Sequence, residues 1–73
     1  MERKATLKAW RVNAGLSQKD LGDSIGRSEA TIANWEKGKH HPDAVEIAKI
    51  EKALNINWSN DVLLPEELRE TEK

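Results

Sequence analysis

Apolar side chains recur three or four residues apart through most of the chain, which is the spacing of one face of an α-helix. In the segment 18–37 they form two pairs, Leu21 with Ile25 and Ile32 with Trp35. Between the pairs, Gly26 can take a positive φ and end one helix, and Ser28 can cap the next. Ser17 can cap the first helix in the same way. The pattern therefore predicts two short amphipathic helices joined by a tight turn.

Another amphipathic helix is predicted near the start of the chain, over residues 6–14. Thr6 can cap this helix, and Gly15 can end it. Its inward face carries Leu7 and Trp10, so Trp10 is expected in the core.

Two more helices are predicted after the loop 38–42. Asp43 and Glu46 have the spacing of a capping box, so a fourth helix begins there and runs to about residue 54. Its inward stripe consists of apolar residues at helical spacing, namely Ala44, Ile47, Ile50 and Leu54. Residues 57–64 suggest a short fifth helix that Pro65 ends.

These elements predict an all-α fold, a compact bundle of five short helices over residues 6–64. Residues 1–5 are expected to be a flexible N-terminus and residues 65–73 a charged C-terminal tail. A chain of 73 residues corresponds to one domain, and without cysteine it must be stabilised by helix packing. Because no apolar run is long enough for a membrane span or a signal peptide, we expect a cytoplasmic protein with no membrane partner.

Charge is distributed unevenly between the two parts of the chain. Residues 1–41 contain eight Lys or Arg and five Asp or Glu, whereas residues 42–73 contain four and eight. The net charge of −1 by itself argues against a polyanionic partner. A bipolar domain could nevertheless direct its positive end towards DNA, although a small charge separation of this kind can also arise by chance.

The two central helices and their flanks resemble the helix-turn-helix of the Cro/repressor-like family, also called the xenobiotic-response-element family. The matching positions are Gln18, Leu21, Gly22, Gly26, Ile32, Trp35 and Glu36. The flanks 15–18 and 36–39, followed by Pro42, match as well, and the resemblance covers roughly residues 6–64. Arg27 departs from the pattern by replacing an apolar turn residue. Gly22 departs by replacing alanine, which should weaken its helix by about 1 kcal/mol.

The resemblance implies a lambda-repressor-like fold with double-stranded DNA as the partner, read by the helix 28–37 in the major groove. The implied base-facing residues are Ser28, Glu29, Ala30 and Asn34. Asn34 could pair with adenine and Ala30 could contact a thymine methyl group. Glu29 could accept from cytosine, or it could simply be an acid favoured by the helix dipole.

Phosphate contacts are expected from the start of the first helix of the pair and from the loop after the second. The candidate residues are Gln18, Lys37, Lys39, His40 and His41. The loop could instead be an ordinary solvated polar segment. Adjacent histidines rarely hold one metal ion together, and no thiol or carboxylate spacing supports a metal site.

The resemblance also implies two structural contacts. Arg11 would form a partly buried ion pair with Glu36, or else remain solvated. A homodimer would form through Asn57, Trp58, Asp61 and Val62. Trp58 would then anchor the interface, unless it is a third core aromatic residue.

The main hypothesis that the resemblance implies is a bacterial or phage-encoded, sequence-specific transcriptional regulator, namely a Cro-like repressor that binds a two-fold operator as a homodimer. We expect no enzymatic activity, cofactor or small-molecule ligand, because the chain has no cysteine nucleophile, no Gly-rich phosphate loop and no serine and histidine in a known catalytic arrangement. One alternative is an antitoxin-type regulator that also binds a toxin protein. Another is a protein-interaction module that has lost DNA binding.

Overall fold

The computed structural model describes residues 4–65, and within this range it contains five α-helices and no β-strand. The helices are α1 Leu7–Asn13, α2 Gln18–Ile25, α3 Glu29–Lys37, α4 Ala44–Leu54 and α5 Trp58–Asp61. The predicted all-α architecture is confirmed. Predictions made for residues 1–3 and 66–73 lie outside the described residues. None of the described helices is long and apolar enough to cross a membrane.

The predicted caps define the helix ends. The Ser17 hydroxyl accepts the Asp20 N–H at 2.9 Å, while the Asp20 carboxylate accepts the Ser17 N–H at 3.0 Å. These hydrogen bonds to Ser17 hold the pKa of Asp20 below its ordinary value. At the other ends, Gly26, Gly38 and Asn55 take the left-handed conformation, as expected for helix C-caps.

The core lies where α2, α3 and α4 meet. Its buried residues are Leu7, Leu21, Ile25, Ile32, Trp35 and Ile50. Leu21, Ile32 and Ile50 are fully buried, and each such side chain contributes about 1.5–3 kcal/mol to folding. The two central helices are thus fixed against the fourth by one apolar cluster.

Two residues predicted to face the core, Ala44 and Trp10, are not part of it. Ala44 is exposed, whereas Glu46, two positions later, is buried. Its burial is explained by two polar partners, the Asp43 N–H and the side chain of Arg27. Trp10 is only half-buried and lies outside the core cluster, because its indole N–H donates to a backbone oxygen of α5 at 2.8 Å.

Ala5 pairs with the segment after α5, and α5 is shorter than the sequence indicates. The Ala5 N–H donates to Asp61 O and the Leu63 N–H donates to Ala5 O, both at 2.9 Å. Val62 is therefore extended and forms an isolated parallel bridge with Ala5. Ala5, which belongs to the expected flexible N-terminus, takes part in both of these hydrogen bonds. The expected end of the fifth helix at Pro65 was wrong, because this backbone pairing ends α5 at Asp61.

Gly22 has a steric role that helix propensity does not reveal. A Cβ added there would lie 2.5 Å from the backbone oxygen of Arg27 and 3.3 Å from the backbone of Ser28. The Arg27 N–H also donates to Gly22 O at 2.8 Å. Glycine thus lets the turn between α2 and α3 approach the α2 backbone closely, and its contribution is not the simple weakening expected from the sequence.

We predict that Gly22→Ala lowers the free energy of unfolding by about 1–3 kcal/mol, because the added methyl group meets backbone that cannot move independently. Helix propensity alone predicts a gain of about 1 kcal/mol. Urea denaturation followed by circular dichroism measures the difference. Ala48→Gly on the exposed face of α4 is the matched control and should lose only about 1 kcal/mol. A stabilised Gly22→Ala variant would contradict the steric role.

Candidate functional site

The exposed face of α3 carries the residues that the resemblance assigns to base contacts. Ile32 and Trp35 point into the core, so the opposite face of the helix is turned outward. Glu29 and Ala30 are exposed in the first turn, and Asn34 is half-buried one turn further on. The expected base-facing residues therefore share one side of α3.

Ser28 also serves as the N-cap of α3. Its hydroxyl accepts the Thr31 N–H at 3.2 Å and lies 3.0 Å from the Thr31 hydroxyl. A serine hydroxyl has one donor and two acceptor sites, so these contacts occupy most of its hydrogen-bonding capacity. The capping role fixes Ser28 at the N-terminal end of α3, next to Glu29.

A buried polar cluster holds α3 against the two preceding helices. Arg11 Nε donates to Glu36 Oε2 at 2.7 Å, and Gln18 Nε2 donates to Glu36 Oε1 at 3.0 Å. Arg11 Nη1 also donates to Leu16 O at 2.7 Å. The Arg11 and Glu36 side chains are only 8% and 6% exposed. The ion pair implied by the resemblance is thus present, and one carboxylate joins the three elements that carry the site.

Gln18 has a partner within the chain that the sequence analysis did not predict. Its amide, expected to contact phosphate, is held by Glu36 within the chain. A carboxamide nitrogen carries two N–H groups, so one donor remains for another acceptor. The contact with Glu36 fixes the direction of that donor. In the sequence, the only indication of this contact is that a glutamine begins one helix and a glutamate lies on the helix expected to pack against it.

The backbone of the loop after α3 is hydrogen-bonded to the end of the helix, and its basic side chains are exposed. The Gly38 N–H donates to Trp35 O at 3.1 Å, and the Lys39 N–H donates to Asn34 O at 2.9 Å. The expected phosphate-contacting side chains of this region are exposed, and these are Lys37, Lys39, His40 and His41. Fixed backbone with exposed basic side chains can follow a phosphate chain.

The turn carries an ion pair that sequence reasoning missed. Arg27 Nη2 pairs with Glu46 Oε2, joining the turn to the first turn of α4. Glu46 also completes the capping box with Asp43, since each accepts the other's N–H at 2.8 Å. An arginine at a position where an apolar residue is usual could have prompted a search for a carboxylate partner.

The expected dimer-contact residues are mostly engaged within the chain. Val62 is 3% exposed, which removes it from the expected contact surface. Asn57 caps α5 by accepting the Asn60 N–H at 3.0 Å, and Asp61 Oδ2 accepts the Asn57 N–H at 2.8 Å. Trp58 is half-buried against the core cluster, so it has both a packed and an exposed part.

Glu51 secures the position of Trp58. Its carboxylate Oε2 accepts the Trp58 N–H at 2.8 Å, which satisfies a backbone donor at the start of α5. Within residues 4–65 no group of three His, Cys, Asp or Glu side chains is arranged to hold a metal ion.

Comparison with known proteins agrees with this geometry. A sequence model of the helix-turn-helix family matches residues 7–59. An uncharacterized HTH-type transcriptional regulator of Bacillus subtilis, YgzD, is 34% identical over 64 residues, covering 88% of this chain and 97% of that protein. An uncharacterized HTH-type transcriptional regulator of Methanothermobacter thermautotrophicus is 28% identical over 61 residues, covering 84% and 88%.

A longer eukaryotic protein is also similar. The endothelial differentiation-related factor 1 homolog of Danio rerio is 37% identical over 60 residues, or 81% of this chain. The matched region spans 41% of that protein's length. The similarity to this relative therefore concerns one region of a larger protein.

We predict that Glu36→Gln lowers the free energy of unfolding by about 3–5 kcal/mol, because it leaves the buried Arg11 guanidinium without a counter-charge. Chemical denaturation at low temperature measures the loss. Asp23→Asn is the control, since it breaks the exposed pair with Lys19 and should leave the free energy of unfolding almost unchanged.

The double variant Arg11→Met with Glu36→Met tests the same interaction if Glu36→Gln fails to fold. Replacing both charges by apolar side chains removes the uncompensated charge, so much of the lost stability should return. Equal, small effects of Glu36→Gln and Asp23→Asn would show that the cluster does not hold the helices together.

Proposed function

Because the chain belongs to the Cro/C1-type helix-turn-helix family, we propose that it binds double-stranded DNA as a transcriptional regulator. In this proposal α3 enters the major groove and its first turn meets the base edges. The single observation that carries it is the outward face of α3, with Glu29, Ala30 and Asn34 on one side and a fixed basic loop following. The similarity to HTH-type regulators from Bacillus and Methanothermobacter extends over nearly the whole length of those proteins and supports the same role.

Base reading requires a rigid helix, and the contacts behind α3 support one. Ile32 and Trp35 are fixed in the core, and Glu36 is held by Arg11 and Gln18. These contacts hold the helix at a constant angle to its neighbours. A side chain on its outer face can then make a directional hydrogen bond without first ordering the helix.

Phosphate binding has to come from a few local groups, because the net charge is −1. We assign it to Lys37 and Lys39, to the remaining N–H of Gln18, and to the histidines of the loop. Few cations imply a shallow dependence on salt, with a slope of about −0.9 per phosphate neutralised. A larger share of the affinity would then have to come from base contacts.

We further propose a Cro-like repressor that binds a two-fold operator as a homodimer. Half-sites one helical turn apart would let two copies of α3 enter successive major grooves. The exposed part of Trp58, next to Asn57, is the proposed centre of the contact. A partly exposed tryptophan with a fixed backbone is the kind of residue that anchors an interface.

A protein-interaction module is the second candidate, and Glu29 favours it. This carboxylate is exposed at the tip of α3, where it would meet the negative potential of DNA. If Glu29 instead accepts from cytosine, it lowers general affinity and raises discrimination between sequences. An antitoxin-type regulator would combine DNA binding with a protein contact.

We predict that selection from a random pool of duplexes enriches a two-fold-symmetric site with half-sites about one helical turn apart. Sequencing of the retained DNA gives the site and its spacing directly. An enriched site without symmetry would contradict the dimer but retain the regulator. Absence of enrichment at low salt and high protein concentration would contradict DNA binding and favour the interaction module.

We also predict that two substitutions on α3 act differently. Asn34→Ala should lose about 1–3 kcal/mol of discrimination at one base pair, because a bidentate contact to a base edge is removed. Lys37→Ala, the matched control, should weaken binding to all sequences alike and reduce the salt slope by about one. Titrations with the selected duplex and single-base variants measure both. A uniform loss in Asn34→Ala would show that Asn34 does not read a base.

A further inference from the structure

The segment that follows α5, residues 62–65, is tied to the start of the chain by its backbone. The Ala5 N–H donates to Asp61 O and the Leu63 N–H donates to Ala5 O, both at 2.9 Å. Ala5 directly precedes the N-cap of α1, so these hydrogen bonds connect the segment to that helix. Pro65, the last residue of the segment, therefore extends from a fixed backbone.

Pro65 packs against Gly38, the residue that caps the C-terminal end of α3. A Cβ added at Gly38 would lie 3.0 Å from the Pro65 Cβ and 3.3 Å from its Cγ, so the proline ring occupies the space that a side chain would need. Both residues are half-buried. Pro65 also lines a cavity of about 60 Å³ together with Trp35 and Pro42, which lie before and after Gly38 in the chain. The ring thus lies where α3 passes into the following loop.

Gly38 is the point at which this loop can most easily change direction. Its φ of +81° lies in the left-handed region, and glycine has more backbone freedom than any other residue. The backbone hydrogen bonds here run back into α3, from the Gly38 N–H to Trp35 O at 3.1 Å and from the Lys39 N–H to Asn34 O at 2.9 Å. The Pro65 ring adds a rigid contact from a different element, because its own φ is fixed.

The residues after Gly38 are among those to which the proposed function assigns phosphate contacts. We define the basic loop as residues 38–41, in which the side chains of Lys39, His40 and His41 are exposed. A lysine carries its charge on a flexible stem, so the direction in which Lys39 leaves the surface depends on the backbone at Gly38. A loop that is already held in place loses less entropy when a side chain on it contacts a phosphate.

We propose that Pro65 is a positioning residue for DNA binding, which holds the basic loop so that Lys39 meets a phosphate. The effect on DNA rests on the proposed function, whereas the effect on the loop does not. Pro65 acts through Gly38 and does not itself touch DNA. It lies beyond residues 7–59, the region that matches the helix-turn-helix family. A segment outside the helix-turn-helix thus adjusts how the motif holds its phosphate-binding loop.

Amide hydrogen exchange tests the positioning without DNA. Pro65→Gly removes both ring atoms that approach Gly38, and we expect the Lys39 amide to exchange about three- to tenfold faster because the loop opens locally more often. Pro65→Ala keeps the Cβ and should have a smaller effect. The amide of Ile25 in the core of α2 reports any change in global unfolding. No acceleration at Lys39, or an equal acceleration at Ile25, would overturn the positioning.

Leu63→Ala is the matched control. Leu63 belongs to the same segment and lines the same cavity, but none of its atoms lies within 4 Å of a Cβ at Gly38. The substitution should destabilise the protein and change the exchange of the Lys39 and Ile25 amides alike. Selective acceleration at Lys39 in this variant would overturn the assignment to Pro65.

The effect on DNA is measured with a mixed-sequence duplex of about 20 base pairs, because phosphate contacts are independent of sequence. Pro65→Gly should weaken binding about three- to tenfold at low salt and reduce the salt slope by about one, as expected when one phosphate contact is lost. Leu63→Ala should leave the slope unchanged. An unchanged affinity and slope in Pro65→Gly would overturn the role in DNA binding.

A cycle of double variants with Lys39→Ala separates positioning from a general effect on the protein. If Pro65 acts through Lys39, Pro65→Gly should cost less affinity when residue 39 is already alanine. Equal costs in the two backgrounds would overturn the action through Lys39. If the unaltered protein binds no duplex, the role in DNA binding fails together with the proposed function. The exchange experiment then still decides whether Pro65 positions the loop.

Discussion

The structure depends on the carboxylate of Glu36 and the donors that surround it. Arg11 on α1 and Gln18 on α2 both donate to this side chain on α3, so three helices share one acceptor. Arg11 extends the connection by donating to Leu16 O, in the segment that joins α1 to α2. A buried ion pair stabilises little compared with apolar packing, but removing one partner is costly. Its main effect here is therefore to fix the orientation of the helices rather than to supply most of the stability.

This arrangement explains how a small domain can present a polar face and remain ordered. Burial of the apolar cluster around Leu21, Ile32 and Ile50 stabilises the fold. The hydrogen bonds of the polar cluster fix the orientation of α3 relative to α1 and α2. On the outer face of α3, Ser28 caps the helix, and Glu29 and Ala30 are exposed. Residues on that face can be chosen for what they contact in a partner. The same separation lets a carboxylate such as Glu29 stand at the helix tip without disturbing the fold.

Local features could be predicted from the sequence, whereas long-range polar pairs could not. The caps at Gly26 and Asn55 follow from the conformational preferences of single residues, and the outward face of α3 follows from helical periodicity. The pairing of Arg27 with Glu46 joins residues nineteen positions apart, and periodicity does not report which polar groups meet. Val62 was misplaced for a related reason, because its burial depends on pairing with a distant segment at the start of the chain.

The two departures from the family pattern meet at one point in the structure. Gly22 leaves room for the backbone oxygen of Arg27, where a Cβ would lie only 2.5 Å away. The turn can therefore lie closer to α2 than an alanine would allow. At the same turn the side chain of Arg27 pairs with Glu46 at the start of α4. The Arg27 side chain is 47% exposed, so water also solvates it, whereas the Glu46 side chain that it pairs with is only 12% exposed. The close turn and the ion pair thus involve the same residue, the first through the backbone oxygen of Arg27 and the second through its side chain.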